Sequence, residues 1–404
     1  MSFLIFCSFE VGGLPYKMAE ILNKHGVETY YVSLDQNASG HDSTQFHFGN
    51  IYESWDLSHL FDNSMFSISF VQIHSIRKII RILKQIKVKY GISHCFATGS
   101  LSYLLKQAGI NYKYWCYGSD LDQQCFAPIW QQNYPFWKKC VIYPYFVFKI
   151  RNKQRNSIYY ADSVMIAPYQ IDAYNQICPD KKLFHLPHFL KILDYKILLQ
   201  KKTENRKIIC KGIKAKNFFF SSARHVWAGN LSDASDNKGN DIILKSFEKY
   251  LKLSNDCDTK LILIKKGPDV EASKSLAQSL SIDKYIIWVN EMNRGELDKY
   301  YQAAIMCFGQ LRTPVITFSV VEPLANGTIC VSFFEDNNSK VPFYKEKPPI
   351  FNSKDPDEIA NFICKLMSNK DYYTELCYKS WCWIKDNCSE EKFVESFLEL
   401  FSRS

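Results

Sequence analysis

The chain has 404 residues, 47% of them apolar, and a formal net charge of +9. That length accommodates two ordinary domains, and the apolar fraction excludes an intrinsically disordered chain. The moderate positive charge suits an anionic ligand or surface; with no nucleic-acid motif beside it, a nucleic-acid partner is not expected.

The 14 cysteines are scattered without C-x-x-C or Cys/His ligand spacing. They read as reduced, mostly buried small side chains, and no metal site or cofactor is expected. Met1–Ser8 is apolar but has no basic lead-in and runs into Glu10, so it does not read as a secretion signal. No stretch reaches the roughly 18 apolar residues a membrane helix needs. A cytoplasmic protein is expected.

In chain order, Phe3–Cys7 is an apolar strand-like run followed by Gly12-Gly13. Leu14, Met18, Ile21 and Leu22 then recur at helical spacing, and Gly26 is a natural helix stop. Val27–Leu34 is the next strand. His94–Thr98 and Tyr112–Tyr117 read as strands around a short helix, Leu101–Gln107, and Ser163–Ala167 and Leu183–Leu186 as two more. Between Pro187 and Lys216 lies a charged junction without a clear strand. A second alternating set follows: strands at Phe218–Ser221, Leu261–Ile264, Tyr285–Val289, Ile305–Phe308 and Thr328–Phe333, with Ile243, Phe247 and Leu251 marking one helix face. Asp355-Pro356-Asp357-Glu358 is a strong helix start, and the last 50 residues read as helical. Strands alternating with helices predict two parallel sheets covered on both faces.

Two segments carry chemistry. In Ser221–Phe247, Arg224 follows a strand end and Lys238-Gly239 immediately precedes a helix. Two cations beside a helix N-terminus suit a diphosphate, since Arg offers a planar fork, Lys a point charge, and the helix free N–H groups. A solvated basic loop is the alternative. In Ile305–Val331, Glu322 sits among Val320, Val321, Leu324 and Ala325. A carboxylate so placed needs hydrogen bonds, either from two ribose hydroxyls or from an internal partner such as a backbone amide or Arg312.

Together these segments resemble the donor half of GT-B glycosyltransferases of the family-4, retaining type, from Ser221 to Asp336. The likeness is carried by Arg224 followed by Lys238-Gly239-Asn240-Asp241, by KLILIKKGP at 260–268, and by EPLANGTICV at 322–331, similar to an E-A-x-A-x-G-x-P-V-V pattern. It implies that Arg224 and Lys238 hold the donor diphosphate and act catalytically. It also implies that Glu322 binds ribose and that amides near Thr317 and Phe318 touch phosphate and sugar. Relatives often carry another Glu eight residues before Glu322; here that position is Pro314, and the usual Gly-x-Gly is Val315-Ile316-Thr317. The sugar end therefore departs from the pattern.

In the N-terminal half, Gly12-Gly13 matches the family's glycine loop and is implied to bind donor. Tyr117-Gly118-Ser119-Asp120 resembles its H-G-T-D or x-G-S-D segment, with Tyr117 in place of His. Asp120 is implied to be catalytic through contact with acceptor or donor, a helix cap being the alternative. The implied α/β fold is GT-B: two Rossmann-like doubly wound domains, 1–195 and 205–385, facing a central cleft. The tail helix 389–404 would cross back to the first domain.

Tyr134–Arg155 holds six Lys or Arg, no acid, and Trp137, Tyr143, Tyr145, Phe146 and Phe148. Such a stretch suits an anionic membrane interface, the alternative being a buried helix with a basic edge. The expected partners are thus a nucleotide-sugar donor and a glycan or glycolipid acceptor, with contact to the inner membrane surface through 134–155. The expected activity is metal-independent sugar transfer in bacterial polysaccharide, lipopolysaccharide or lipid-linked glycan synthesis. A sugar-nucleotide epimerase of the same fold, or a non-catalytic nucleotide-sugar-binding protein, remain alternatives.

Overall fold

The computed structural model describes residues 2–8, 14–34, 54–56, 70–116, 151–167, 170–228, 237–335 and 346–402, with positions 121, 125, 136, 137 and 140. They form two compact units, Met1–Leu186 with Val394–Ser404, and Pro187–Phe393.

The first unit runs β1 (Ser2–Cys7), α1 (Leu14–Lys24), β2 (Thr29–Ser33), β3 (Ser54–Asp56), α2 (Phe70–Tyr90), β4 (Ile92–Thr98), α3 (Tyr103–Gln107), β5 (Tyr112–Trp115), α4 (Asn152–Tyr159), β6 (Ser163–Met165), α5 (Ile171–Ile177) and β7 (Lys182–Leu183). Every neighbour pairs in parallel, in the order β3-β2-β1-β4-β5-β6-β7. Strand β1 is buried from Phe3 to Cys7 because the sheet is covered on both faces, which is why it reads as a continuous apolar run. Leu4, Phe6 and Val32 pack with Ile79, Leu83 and Leu104. Phe3 packs edge-on, at 5.2 Å, against both Phe397 and Phe401 of the C-terminal helix.

The second unit runs α6 (Tyr195–Ile213), β8 (Asn217–Ser221), α7 (Asn240–Ser254), β9 (Thr259–Ile264), α8 (Val270–Ser279), β10 (Ile286–Val289), α9 (Arg294–Ala303), β11 (Met306–Phe308), α10 (Phe318–Ala325), β12 (Ile329–Ser332), β13 (Phe351–Asn352), α11 (Pro356–Ser368), α12 (Lys370–Cys388) and the first residues of α13 (Glu390–Ser402). Its parallel order is β10-β9-β8-β11-β12-β13, so the strand order reverses between β8 and β11. Alternate residues of β8 serve opposite faces. Phe219 joins Ile243, Phe247, Ile359 and Ile363 of α7 and α11. Phe218 and Phe220 join Tyr301 and Ala303 of α9, with Ile209 and Ile213 of α6 packed against them. On that same side, α10 packs on α12 through Val320, Leu324, Trp383 and Ile384.

Two features differ from the sequence expectation. The charged junction is not a linker: Tyr195–Ile213 is a 19-residue helix belonging to the second unit, and the Asp194 carboxylate caps it by accepting from Lys196 N at 2.9 Å. Its periodicity is blurred because Ile197, Leu199 and Ile208 are exposed while Leu198 is buried. The short strands β3 and β13, of three and two residues, were not anticipated. The Asp355 start of α11 is as expected, with the carboxylate accepting from Asp357 N at 2.8 Å and Glu358 N at 3.0 Å.

Gly267, after β9, has φ +107°, and a Cβ there would lie 2.5 Å from His225 O and 2.8 Å from His225 N. Backbone meets backbone, so neither side can yield by a rotamer change. Gly267→Ala is expected to lower unfolding free energy by about 2 kcal/mol or more, read as a lower urea midpoint at unchanged m-value.

Candidate functional site

In open parallel sheets, ligands settle outside the carboxyl ends of the strands where the order reverses. Here those ends are Ser221 of β8 and Phe308 of β11, tied by Ser221 Oγ donating to Phe308 O at 3.1 Å. The loop after β8 carries Arg224 and Lys238; the loop after β11 leads into α10 and Glu322.

The loop after β8 is held by the loop after β9. His225 N donates to Lys266 O at 2.7 Å and Asp269 N to His225 O at 3.0 Å. The Asp269 carboxylate accepts from Trp227 N at 2.6 Å and Ala228 N at 2.9 Å. Arg224 is exposed between buried Ala223 and His225. His225 Nδ1 lies 2.8 Å from Ser273 Oγ. Burial pushes its imidazole down to about 4, against smaller upward influences from the Ile264 backbone and Asp269. Residues 229–236 lie outside the described residues.

Lys238 is clamped through its backbone: its N donates to Val226 O at 2.9 Å and its O accepts from Leu311 N at 3.0 Å. Its side chain is buried and Nζ donates to Gln310 Oε1 at 3.3 Å. Gln310 Nε2 in turn donates to Thr317 Oγ1 at 3.4 Å, and Thr317 is the N-cap residue of α10. The ammonium therefore belongs to the same hydrogen-bonded chain as the N-terminus of α10, where amide groups favour an anion. Gly239 follows because the position has φ +72° and a Cβ there would come within 3.0 Å of Leu311 Cβ.

Glu322, on α10, is 7% exposed. Its Oε1 is 2.9 Å from Arg294 Nη2, and its Oε2 accepts from Tyr301 OH at 3.2 Å. The Tyr301 hydroxyl also lies 2.7 Å from Ser222 Oγ, linking Glu322 to the loop after β8. The internal partner is thus Arg294 and not Arg312, which binds the Asp241 carboxylate at 2.9 Å instead. Burial raises the Glu322 carboxyl; Arg294 draws it down, Asp298 raises it and the Tyr301 hydroxyl lowers it. Arg294 also lies 5.4 Å from the centroid of the Phe318 ring. A carboxylate offers about four lone-pair sites, so two internal bonds leave acceptor capacity for a ligand diol. At the other end of α10, Lys202 Nζ donates to Asn326 O at 3.2 Å, Gly327 O at 3.0 Å and Thr328 Oγ1 at 2.6 Å.

Of the residues singled out from sequence, Lys238, Thr317 and Glu322 are brought together through this network, with Phe318 opening the same helix and Arg224 on the neighbouring loop. Gly12, Gly13 and Asp120 lie outside the described residues, as does most of 134–155; within that stretch Phe136 and Trp137 are 74% and 68% exposed. Gln310, Arg294, Tyr301 and Ser222 were missed. The available signal for Arg294 and Tyr301 was only their place on one amphipathic helix, seven residues apart. Among the described residues, no three His, Cys, Asp or Glu side chains converge as metal ligands would, and no helix is long and apolar enough to cross a membrane.

Two doubly wound parallel units of this kind define the GT-B fold. Residues 228–380, which hold Lys238, Thr317 and Glu322, match the model of the family described as Glycosyl transferases group 1. Solved structures agree on the fold over the whole length. A glycosyltransferase from Rickettsia africae has TM-score 0.62 at 12% identity, over 100% of this chain and 98% of that one. HepE of Anabaena, in complex with UDP and glucose, has TM-score 0.65 at 11% identity, over 99% of each chain. Sucrose-phosphate synthase from Thermosynechococcus elongatus has TM-score 0.63 at 12% identity, over 100% of this chain and 99% of that one. No curated protein matches the chain in sequence.

The depressed His225 makes the loop after β8 acid-sensitive. Unfolded, the imidazole titrates near its ordinary value of 6.5; folded, it stays neutral down to about 4. The unfolded chain therefore binds the extra proton, and this contribution to stability is complete above 6.5 and lost as pH falls toward 4. Between pH 7 and 5 the loss from this group is about 1–2 kcal/mol. His225→Gln is expected to flatten the dependence of the urea midpoint on pH across that interval by this amount.

Proposed function

We propose that the chain is a glycosyltransferase that moves a sugar from a nucleotide-sugar donor to an acceptor hydroxyl, with retention at the anomeric carbon. The observation that carries this is the chain Lys238–Gln310–Thr317, which joins a buried cation to the N-terminus of the helix that bears Glu322. The donor diphosphate would lie against Lys238, the first amides of α10 near Thr317 and Phe318, and Arg224. Fixed positive charge there stabilises negative charge building on the leaving diphosphate, the largest demand of the reaction. Glu322 would accept from the ribose hydroxyls with the lone pairs that Arg294 and Tyr301 leave. A phosphate oxygen of the departing diphosphate would take the acceptor's proton, and no metal is needed where two side-chain cations serve. HepE of Anabaena in complex with UDP-glucose, and TarM of S. aureus in complex with UDP, support a nucleotide-sugar as the donor class.

By the sequence resemblance, Asp120 would serve the acceptor or donor, and Gly12 and Gly13 the donor. The proposed acceptor is a bacterial glycan or glycolipid, of the polysaccharide or lipopolysaccharide type, reached at the cytoplasmic membrane face. The lipopolysaccharide outer core galactosyltransferase WaaB, at TM-score 0.57 and 10% identity, is among the similar structures. The exposed Phe136 and Trp137, in a stretch with six cations and no acid, support contact with that surface.

Lys238→Ala tests the site. One charge-assisted contact of this kind contributes about 1.5–3 kcal/mol, so turnover with the donor should fall about tenfold or more. Circular dichroism should be unchanged, because the anchors at this position are backbone groups. Full activity in this variant would sink the assignment. A thermal-shift screen of nucleoside diphosphates identifies the donor class independently: a diphosphate held at about 100 times its Kd stabilises the fold by about 2.7 kcal/mol.

A further inference from the structure

The helix pair α7 and α11 frames a cavity that the proposed transfer reaction does not use. Its volume is about 520 Å³, and its walls are Asn237, Asp241, Ile242, Lys245, Arg312, Lys354 and Pro356. Lys238, Thr317 and Glu322 are not among them. It opens on the α7 and α11 side of the sheet, while Glu322 and its partners belong to α9 and α10 on the other.

Three cations converge on this cavity from three separate elements: Lys245 from α7, Arg312 from the loop after β11, and Lys354 from the turn before α11. One carboxylate faces them. Asp241 Oδ2 is 2.9 Å from Arg312 Nη2 and 3.2 Å from Lys245 Nζ. The lining therefore keeps two positive charges in excess, matching a phosphate monoester dianion. Arg312 supplies a planar fork to phosphate oxygens and the lysines point charges. The first turn of α7, whose positive dipole end favours an anion, contributes Asp241 and Ile242 to the wall.

The same turn holds two polar atoms with unmet hydrogen-bond demand. Asp241 Oδ1 and Asn240 Nδ2 are buried and without partners, in residues 4% and 1% exposed. Such groups are rare in folded proteins, because leaving one buried without a partner is unfavourable unless water or a ligand meets it. Asp241 lines the cavity beside Asn237, so polar groups stand next to the three cations, which calls for a ligand with hydroxyls as well as phosphate. Bare phosphate would fill only a fraction of such a volume, which falls in the ordinary range of small-molecule sites.

We propose that this cavity binds a phosphorylated sugar or similar polyol phosphate: the phosphate on Arg312, Lys245 and Lys354, and the hydroxyl-bearing part against Asn237 and Asp241. Its wall is mechanically joined to the neighbouring site. Thr313 Oγ1 donates to Asn237 O at 2.9 Å, and Gln310, the partner of Lys238, lies two residues before Arg312 in one loop.

The test is a phosphorus NMR titration of the full chain with glucose 6-phosphate as the probe, and separately with inorganic phosphate. Glucose 6-phosphate should bind with a Kd of about 1 mM or below and more tightly than inorganic phosphate. Lys354→Ala and Arg312→Gln should each weaken it about tenfold, the loss of one charge-assisted contact. Lys354 is exposed and its contact is with the Phe333 ring, so this variant should keep its fold even if loss of the Arg312–Asp241 pair disturbs the loop. Lys238→Ala should leave the titration unchanged, separating this cavity from the proposed donor site. No binding at about 10 mM, equal affinity for inorganic phosphate, or binding lost in Lys238→Ala and retained in Lys354→Ala would each overturn the proposal.

Discussion

The pairing of β8 with β11 is the constraint on which the rest of the second unit depends. These strands are neighbours in space but far apart in the chain, and their register sets Ser221 level with Phe308. Parallel strands joined by right-handed crossovers send the chain to one face when the order grows in one direction and to the other face when it reverses. So the connection after β8 turns into α7 on one side, and the connection after β11 turns into α10 on the other. The two loops must part at that point. The gap, two helix N-termini beside it, and loops free to carry charged side chains all follow from a single strand-order reversal.

What the loops lose in regular structure they recover by clasping one another. Gly267 lets the β9 loop lie directly on His225, and Gly239 lets α7 begin against Leu311. Gly309 does the same between Ser332 and Val320, where a Cβ would fall 2.8 Å from each side chain. These are close approaches of main chain to its neighbours, and they explain glycine at positions where no ligand need be invoked. Rigidity matters to an anion site because cations held in advance are not reorganised when charge appears. Lys238, buried and bonded through backbone and side chain, is so held; Arg224 is exposed at a loop position whose flanking residues are buried.

The strands of both sheets were legible because parallel strands buried on two faces are short continuous apolar runs, as Phe218–Ser221 and Leu261–Ile264 show. Lys238 and Glu322 were legible for a different reason: each stands out locally, a lysine before a glycine at a helix start and an acid inside an apolar turn. What could not be read was who answers them. Arg294 and Tyr301 are 28 and 21 residues from Glu322, and they meet it only because α9 and α10 lie side by side. Arg312 was the nearer candidate by number, but two hydroxyl and amide anchors, Thr313 to Asn237 and Leu311 to Lys238, turn it toward Asp241. Helix α6 was hidden by its own surface, since exposed Ile197, Leu199 and Ile208 erase the contrast that marks an amphipathic face.

The electrostatics around α10 also give physical meaning to the departure at Pro314. An anion site at the N-terminus of a helix is weakened by any carboxylate in the preceding loop, and at this position the side chain is apolar. The acid that remains, Glu322, lies a turn further along the helix and is answered by Arg294 at 2.9 Å. Burial works against its charge, yet Arg294 is half exposed and screened by water, so the pair is better understood as orienting the carboxylate than as a large stabilising term. Arg294 also reaches over the Phe318 ring, which fixes the guanidinium against the first turn of α10. A positively biased helix start, an oriented carboxylate one turn on and no acid between them sets an anion-favouring end and an acceptor apart along a single helix. With Pro314 contributing no side-chain acceptor, the acceptor nearest the start of this helix is the buried carboxylate of Glu322, not a group in the loop before it.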